Sequence, residues 1–384
     1  MKKYLTLDDV DVSGARVLVR SDLNVPLDED GAITDDFRIK SALPALERLV
    51  AERAKVTVCS HLGRPRGPNP HYSMKVVAER LAELTGYEVT MGRHADSDIK
   101  VLENTRFDEG ETSNDPILAA RFADGMDLFV QDAFGSVHRA HASTVGVASL
   151  VKSVAGPLLD RELSAFRRFT DDPLSPYTMV LGGAKVSDKL GLIENLLPKV
   201  DQILIGGGMC FTFLKARGES VGASVIQEDM LESAAGLLEG EYGDKIMLPL
   251  DVVASTSFTK SGANRIVDVH SLSEHEIGLD IGPSTYNLFA DTIRRSKTIF
   301  WNGPMGVFEW ESYRKGTERV ASAMAASDGY TGVGGGDSAA AVRMLGYEDQ
   351  IDHLSTGGGA GLELLEGRAL PGVEVLERWA RESE

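Results

Sequence analysis

The sequence Tyr177-Thr178-Met179-Val180-Leu181-Gly182-Gly183-Ala184-Lys185-Val186-Ser187-Asp188-Lys189 lies near the middle of the chain. Its first five residues form a short apolar run that ends in two glycines, which predicts a strand and a tight turn. A helical pattern follows, so we expect Lys185 and Lys189 to lie at the start of a helix. Free backbone N–H groups and the positive end of a helix dipole attract anions. The stretch therefore predicts an anion site.

Glycine-rich turns of the same kind follow four further apolar segments downstream. They lie at 206–208, 303–306, 334–336 and 357–359. Helical patterns are predicted at about 188–197, 227–238, 285–295, 316–326 and 338–345. Because strands that alternate with helices form parallel sheets, we expect these glycine turns to meet at one sheet edge.

The first half of the chain alternates in the same way. Strands are predicted at 16–20, 55–59, 101–103 and 128–130, and a helix at 74–85. Another helix is expected to begin near Ser41, because Pro44 is tolerated in a first turn and not in an interior. This start places Arg38 on the approach to the helix. The linker at 170–176 contains charges and prolines and marks a domain boundary.

Cationic and polar side chains follow the predicted strands of this first half. They are Asp22, Asn24, His61, Arg64, Arg106 and Arg139, with Arg38 beside them. Ligands of parallel sheets bind outside the carboxyl ends of the strands, so we expect these side chains to converge. Guanidinium groups bind carboxylate and phosphate through a planar fork of donors. A small organic acid with several negative charges is the predicted ligand, whereas the glycine turns suit a polyphosphate.

Composition limits the possible functions. Lysine and arginine number 40 against 58 aspartate and glutamate residues, a net charge of −18. That charge argues against binding to nucleic acid or to anionic membranes. The cysteines, Cys59 and Cys210, lack metal-ligand spacing and are expected to be free, buried thiols. With no apolar run of membrane-spanning length, we expect a soluble protein of the cytoplasm.

Several alternatives remain open at the level of motifs. The chain has no Gly-Lys pair, which excludes a P-loop. A Gly-x-Gly-x-x-Ala pattern at 334–339 keeps a nicotinamide-dependent oxidoreductase as an alternative, although that fingerprint normally opens its domain. A non-catalytic anion-binding protein is a third possibility. Lys189 could be a solvated helix residue, and Asp337 either a helix N-cap or a magnesium ligand.

On these motifs the chain resembles the phosphoglycerate kinase family. The matching segments are 21–27, 37–39, 60–65, 102–107, 132–141, 181–189, 206–215, 301–309, 334–338 and 355–367. Four positions depart from the family pattern. Leu23 replaces phenylalanine, Gln131 replaces asparagine, Ser338 replaces threonine and Asp160 replaces lysine.

The resemblance implies an α/β fold with two doubly wound parallel-sheet (Rossmann-like) domains joined by a helix and hinge. Residues 1–157 would bind 3-phosphoglycerate, 158–176 would form the interdomain helix and hinge, 177–370 would bind Mg-nucleotide, and 371–384 would pack back on the first domain. The implied reaction is glycolytic: reversible phosphoryl transfer from 1,3-bisphosphoglycerate to ADP, giving 3-phosphoglycerate and ATP. It would proceed in line after hinge closure, in a monomer.

The resemblance also implies roles for individual residues. The glycerate ligand would be held by Asp22, Asn24, Arg38, His61, Arg64, Arg106 and Arg139. The nucleotide would be held by Gly183, Ala184, Gly207, Gly208, Leu279, Asn302, Pro304, Val307 and Glu309. Its phosphates and Mg²⁺ would be held by Lys185, Lys189, Gly335, Gly336, Asp337 and Ser338, with Asp337 as the metal ligand. The implied catalytic residues are Arg38, Lys185 and Gly336.

Overall fold

The computed structural model describes residues 3–93 and 97–383. The chain divides into two compact units, Met1–Ser164 with Ala369–Glu384, and Ala165–Arg368. In the described ranges, no helix is both long and apolar enough to cross a membrane. Cys59 and Cys210 are buried and free, which confirms their predicted state.

Six parallel strands form the sheet of the first unit. They are β1 (Arg16–Ser21), β2 (Lys55–Cys59), β3 (Val89–Met91), β4 (Ile99–Val101), β5 (Leu128–Asp132) and β6 (Ser153–Ala155), in the spatial order β3-β4-β2-β1-β5-β6. Helices α1 (Phe37–Ala51), α2 (Lys75–Thr85) and α3 (Pro116–Ala123) connect them, and α4 (Pro157–Thr170) follows. Val17 and Val19 of β1 face the core under α1 and α2, whereas Leu18 faces the core under α3. Both faces of the sheet are therefore covered.

The second unit contains two sheets. Its strands are β7 (Tyr177–Leu181), β8 (Gln202–Ile205), β9 (Ile246–Met247), β10 (Asp251–Ser255), β11 (Asn264–Asp268), β12 (Ile277–Ile281), β13 (Thr298–Asn302), β14 (Tyr330–Gly334) and β15 (His353–Leu354). Six of them form a parallel sheet in the order β15-β14-β13-β7-β8-β9, and β11-β10-β12 form a small antiparallel sheet.

The helices of the second unit surround its parallel sheet, and one further helix ends the chain. They are α5 (Leu190–Leu196), α6 (Cys210–Ala216), α7 (Leu231–Glu239), α8 (Pro283–Arg295), α9 (Lys315–Ala325), α10 (Gly336–Met344) and α11 (Gly358–Leu365), followed by α12 (Pro371–Ser383). The two parallel sheets confirm the predicted fold class. The antiparallel sheet was not predicted from the sequence.

The start of α1 corrects the sequence-based prediction. The helix begins at Phe37, whose N–H donates to the Asp35 carboxylate at 2.8 Å. Pro44 therefore lies inside the helix, on its exposed side, where water can replace the missing backbone donor. Arg38 consequently belongs to the rigid first turn of α1 and not to a loop before it.

The C-terminal helix α12 packs within the first unit. The Gly372 N–H donates to the Val137 carbonyl at 2.9 Å, and the Trp379 Nε1–H donates to the Ala148 carbonyl at 2.6 Å. Val375 joins the same apolar cluster as Leu18 and Phe129. The last element of the chain thus completes one face of the first sheet.

Candidate active site

Four adjacent strands of the first unit end beside one another. In the order β4, β2, β1 and β5, all are parallel, so their carboxyl ends share one edge. Asp22 follows β1, His61 follows β2, Arg106 lies in a 3₁₀ turn after β4, and Arg139 follows β5. The prediction that these segments meet at one edge is confirmed.

Arg106 lies at the centre of a cation cluster. Burial lowers the pKa of Arg106, and the nearby charges of Arg139, Arg64 and Arg20 lower it further. Its Nη1 donates to the Gly63 carbonyl at 3.2 Å, but its buried Nε has no hydrogen-bond partner in the part of the chain that the structure describes. A buried guanidinium donor that lacks a partner is costly, so the cation cluster is not fully satisfied by the described residues.

Arg38 is held against this cluster by Asp22. The Arg38 Nη1 donates to the Asp22 carboxylate, which is almost fully buried. Burial is the largest influence on Asp22 and would raise its pKa, but the surrounding positive charges, that of Arg38 first, together with the Arg38 hydrogen bond outweigh it, so the pKa lies below its usual value. A side chain on Gly135 would collide with the Asp22 carboxylate. The glycine therefore leaves the space that this ion pair occupies.

Asn24 and Gly63 fix the loop that carries His61 and Arg64. The Asn24 Oδ1 accepts the Gly63 N–H at 2.7 Å. Gly63 has a φ of +63°, and a β-carbon there would collide with the Tyr72 ring. Asn24 thus supports the loop through its oxygen and keeps its amide donors for a ligand.

His61 is neutral and is hydrogen-bonded to an arginine that was not among the predicted site residues. Burial, with Arg20 and Arg106 nearby, lowers the pKa of His61 to about 3. Arg20, at the end of β1, is 1% exposed and donates from Nη2 to the His61 Nδ1 at 3.0 Å. The sequence feature that could have identified Arg20 is a charged residue near the end of an otherwise apolar strand.

The second unit brings three of its glycine turns into direct backbone contact. The Gly183 N–H donates to the Pro304 carbonyl at 2.9 Å, and the Gly207 N–H donates to the Met305 carbonyl at 3.0 Å. The Met209 N–H donates back to the Gly183 carbonyl at 2.9 Å. The turns after β7, β8 and β13 therefore form one interlocked surface, in which glycine allows the backbones to approach each other closely.

An apolar cavity of about 380 Å³ opens beside these turns. Of the predicted nucleotide residues, those that line it are Gly183, Ala184, Gly207, Gly208, Leu279, Pro304, Val307, Glu309 and Asp337. Its further lining includes Phe211, Phe258, Ile277 and Met305, which the sequence reading missed. The volume lies in the range of small-molecule sites, and its walls suit a flat, apolar ring system.

Asn302 and Ser338 are buried behind the turns and do not line the cavity. The Asn302 Nδ2 donates to the Gly334 carbonyl at 2.7 Å, and the Ser338 Oγ accepts the Gly303 N–H at 2.6 Å. Both side chains tie the turn after β13 to the start of α10. Since the serine hydroxyl makes this contact, replacing the family's threonine preserves it.

The remaining predicted phosphate residues lie at two places. Gly335, with a φ of +94°, is the N-cap of α10, so Gly336 and Asp337 occupy the first turn. The N-cap alternative for Asp337 is therefore wrong. Lys189 is the N-cap of α5, which begins at Leu190, so it lies at the start of this helix as predicted. Lys185 lies in the segment before the helix, so the prediction is wrong for Lys185. The apolar residues of 190–197 form and pack the helix. The segment before it contains Gly183 and the exposed residues 187–188, and it forms a turn.

Lys189 and Asp337 act on each other electrostatically. Burial lowers the pKa of Lys189, whereas the charges of Asp188 and Asp337 oppose that shift. Asp337 is exposed at the cavity, and no group of three potential metal-binding side chains occurs in the described ranges. One carboxylate at a helix N-terminus fits Mg²⁺ that is also bound by phosphate oxygens.

Replacing Gly207 by alanine should weaken nucleotide binding about tenfold, because a left-handed alanine costs about 1–2 kcal/mol and the turns must also separate. The new β-carbon would lie 2.5 Å from the Gly183 nitrogen and 2.7 Å from the Pro304 carbonyl oxygen. Calorimetric titration with MgATP measures the effect. Gly236→Ala in α7 is the control, since its β-carbon would meet nothing within 4 Å. Equal affinities in the two variants would contradict the role of the interlocked turns.

One unit thus carries a cluster of guanidinium groups, and the other carries an apolar cavity beside interlocked glycine turns and the N-terminus of α10. Groups that attract anions, together with a cavity that suits a ring system, fit the phosphotransferase class. Comparisons with known proteins define the class further.

The sequence model of the phosphoglycerate kinase family matches residues 7–368. Phosphoglycerate kinases of Salinispora tropica and Rubrobacter xylanophilus are 52% and 51% identical, over 97% and 96% of this chain and 99% and 97% of theirs. The structure is similar to that of phosphoglycerate kinase from Coxiella burnetii, with a TM-score of 0.90 and 39% identity over 98% of this chain and 99% of that one.

The chain belongs to the phosphoglycerate kinase family. It is an enzyme of glycolysis that transfers a phosphoryl group reversibly between 1,3-bisphosphoglycerate and ADP, giving 3-phosphoglycerate and ATP. The nicotinamide-dependent oxidoreductase and the non-catalytic anion-binding protein are thereby excluded. The glycine pattern at 334–339 belongs instead to the start of α10.

Proposed function

We propose that the cation cluster of the first unit binds 3-phosphoglycerate and 1,3-bisphosphoglycerate. The cluster contains five guanidinium groups, of Arg20, Arg38, Arg64, Arg106 and Arg139, and two buried carboxylates, of Asp22 and Glu111. Three positive charges remain. 3-Phosphoglycerate carries one carboxylate and a phosphate with a charge of about −1.5 to −2 at pH 7, which nearly balances them.

The roles of the individual side chains follow from what each can donate or accept. Arg64, Arg106 and Arg139 provide donor forks for phosphate oxygens, and the closeness of these three guanidinium groups to one another carries this assignment. His61 donates its remaining ring N–H, and Asn24 donates from its amide. Asp22 only accepts, which suits the ligand's hydroxyl. Arg38 neutralises charge on the moving phosphoryl group.

We propose that the second unit binds Mg-ADP and Mg-ATP at the interlocked turns. The apolar cavity would take the base, and Glu309 at its rim would accept hydrogen bonds from ribose hydroxyls. The phosphates would meet the Gly335 and Gly336 backbone, Lys185 and Lys189 at the N-terminus of α10. Asp337 would hold Mg²⁺, which neutralises phosphate charge when bound.

Phosphoryl transfer requires positioning and charge neutralisation more than covalent help. In the ATP-forming direction the leaving group is a carboxylate, which needs no general acid. This chemistry explains a site rich in cations, in which the imidazole of His61 is a neutral donor. We propose that hinge closure brings donor and acceptor in line, and that the enzyme acts as a monomer in the cytoplasm.

The assignment of the glycerate site is tested by Arg106→Gln. Losing a charged hydrogen-bond donor should weaken 3-phosphoglycerate binding about tenfold or more, with MgATP binding unchanged. Arg121→Gln is the matched control, because Arg121 is exposed in the same unit and pairs with Asp108 at 3.2 Å. Titration calorimetry with each ligand gives the dissociation constants. Unchanged 3-phosphoglycerate affinity in Arg106→Gln would overturn the assignment.

A further inference from the structure

A chain of buried polar groups runs beneath the cation cluster. Glu111 is 1% exposed and Ser143 is fully buried. The Ser143 hydroxyl donates to one Glu111 carboxylate oxygen at 2.5 Å, and the Ser143 N–H donates to the other at 3.1 Å. Arg20 Nε then donates to the Ser143 Oγ at 3.0 Å. Arg20 Nη2 finally reaches the His61 Nδ1 at 3.0 Å.

In this series of four polar groups, the donor and the acceptor of each hydrogen bond follow from which groups can donate and which can accept. A carboxylate without a proton can only accept hydrogen bonds, so the Ser143 hydroxyl must be the donor of its hydrogen bond to Glu111. Its lone pairs are then available, and a guanidinium, which can only donate, uses one of them. The same guanidinium can only donate to the His61 Nδ1. The imidazole must therefore carry its proton on Nε2.

We propose that Glu111 and Ser143 are positioning residues which, through Arg20, hold His61 as the Nε2-protonated tautomer that donates to the anionic substrate. The inference rests on the proposed role of His61 in the glycerate site. With the other tautomer, Nε2 would present a lone pair, which repels an anion. Selecting the tautomer therefore decides whether His61 attracts or repels the ligand.

The local backbone supports this role. Ser143 lies in a π-helical turn, Ala142–Gly146, a rare geometry that is frequent at functional sites. The Ala142 N–H donates to the Glu111 carbonyl at 3.0 Å, so backbone and side chain of Glu111 both fasten the turn. Arg20 is also held by the Ser21 carbonyl at 2.5 Å and by the Ser60 hydroxyl at 3.3 Å. Without the Ser143 hydroxyl, Arg20 would stay in the cluster, but its Nε would lose its hydrogen-bond acceptor.

Ser143→Ala tests the proposal, with Ser153→Ala as the control. Ser153 is equally buried in the same unit, but its hydroxyl bonds only to the Ala148 and Val151 carbonyls. Nitrogen NMR of histidine-labelled full-length protein, with the His61 signals assigned through His61→Gln, reports the tautomer without any assay of activity. We expect a single Nε2–H tautomer in the wild type and in Ser153→Ala, and a mixture in Ser143→Ala.

Kinetics give the second measurement. In Ser143→Ala the KM for 3-phosphoglycerate should rise about tenfold, as for loss of one hydrogen bond to a charged group, while the KM for MgATP stays constant. Glu111→Gln can accept a hydrogen bond from only one of the two Ser143 donors. It should therefore change the His61 tautomer and the KM for 3-phosphoglycerate in the same direction as Ser143→Ala. It replaces Ser143→Ala if that variant does not fold.

An Nδ1-protonated His61 in the wild type would overturn the proposal, as would a Ser143→Ala variant that matches Ser153→Ala in tautomer and KM. The test also separates this proposal from the assignment of the glycerate site. If His61→Gln leaves 3-phosphoglycerate affinity unchanged while the wild-type tautomer is as expected, the site assignment fails and the positioning chain stands.

Discussion

Arg38→Ala is expected to lower turnover by about 10³–10⁵-fold, the effect of a well-placed arginine on phosphoryl transfer. This equals about 4–7 kcal/mol of transition-state stabilisation. Arg38 belongs to the first turn of α1 and is bound by the buried Asp22 carboxylate, so its guanidinium is held in one place before substrate arrives. Because the proposed nucleotide site lies in the second unit, the KM for MgADP should remain near that of the wild type. A coupled assay of ATP formation measures both constants.

Two further variants make this prediction specific. Arg48→Ala removes an arginine from the same helix whose partners, Asp8 and Glu52, are exposed, and it should retain nearly all activity, since such surface pairs contribute about 0–1 kcal/mol. Arg38→Lys keeps the charge but loses the planar fork and should recover only part of the loss. Turnover of Arg38→Ala within about tenfold of the wild type would remove Arg38 from the chemistry.

Asp337→Ala should raise the Mg²⁺ concentration needed for half-maximal activity by about 100-fold, because Mg²⁺ is bound through one or two carboxylates together with phosphate oxygens. Asp337 is exposed in the first turn of α10, at the rim of the cavity. The measurement is the dependence of ATP formation on Mg²⁺ at fixed ADP. An unchanged dependence would exclude Asp337 as the metal ligand.

Asp188→Ala separates metal binding from a simple change in local charge. Asp188 is exposed and, like Asp337, opposes the lowering of the Lys189 pKa. Removing it takes away the same charge near the same lysine. We expect its Mg²⁺ dependence to be that of the wild type. If both variants shifted the dependence equally, the effect would arise through Lys189 and not through the metal.

The parallel sheets could be predicted because their strands are short apolar runs with abrupt polar or glycine ends. The start of α1 could not, because Pro44 lies on a solvent-facing side that only the tertiary structure defines. The small antiparallel sheet was also missed. Asn264–Asp268 is mostly exposed, so β11 lacks the apolar run by which the buried strands were recognised.

The placement of residues at one sheet edge could be predicted where those residues lie at strand ends. Sequence spacing brought Asp22, His61, Arg106 and Arg139 to one edge, as the order of strands confirms. Arg20 was missed because its position in an apolar strand indicated only that it is buried. Its role depends on a hydrogen bond to Ser143, which lies 123 residues away in the sequence. Phe258 was missed because it belongs to the loop between β10 and β11. Contacts of that range follow from the fold and not from local pattern.

The packing of α12 has a consequence for biosynthesis. Residues 369–384 complete the first unit, yet the ribosome makes them after the whole of the second unit. The apolar face around Leu18 and Phe129 therefore lacks the cover of Val375 until the second unit has been synthesised, and the N-terminal part of the nascent chain cannot finish its packing before then.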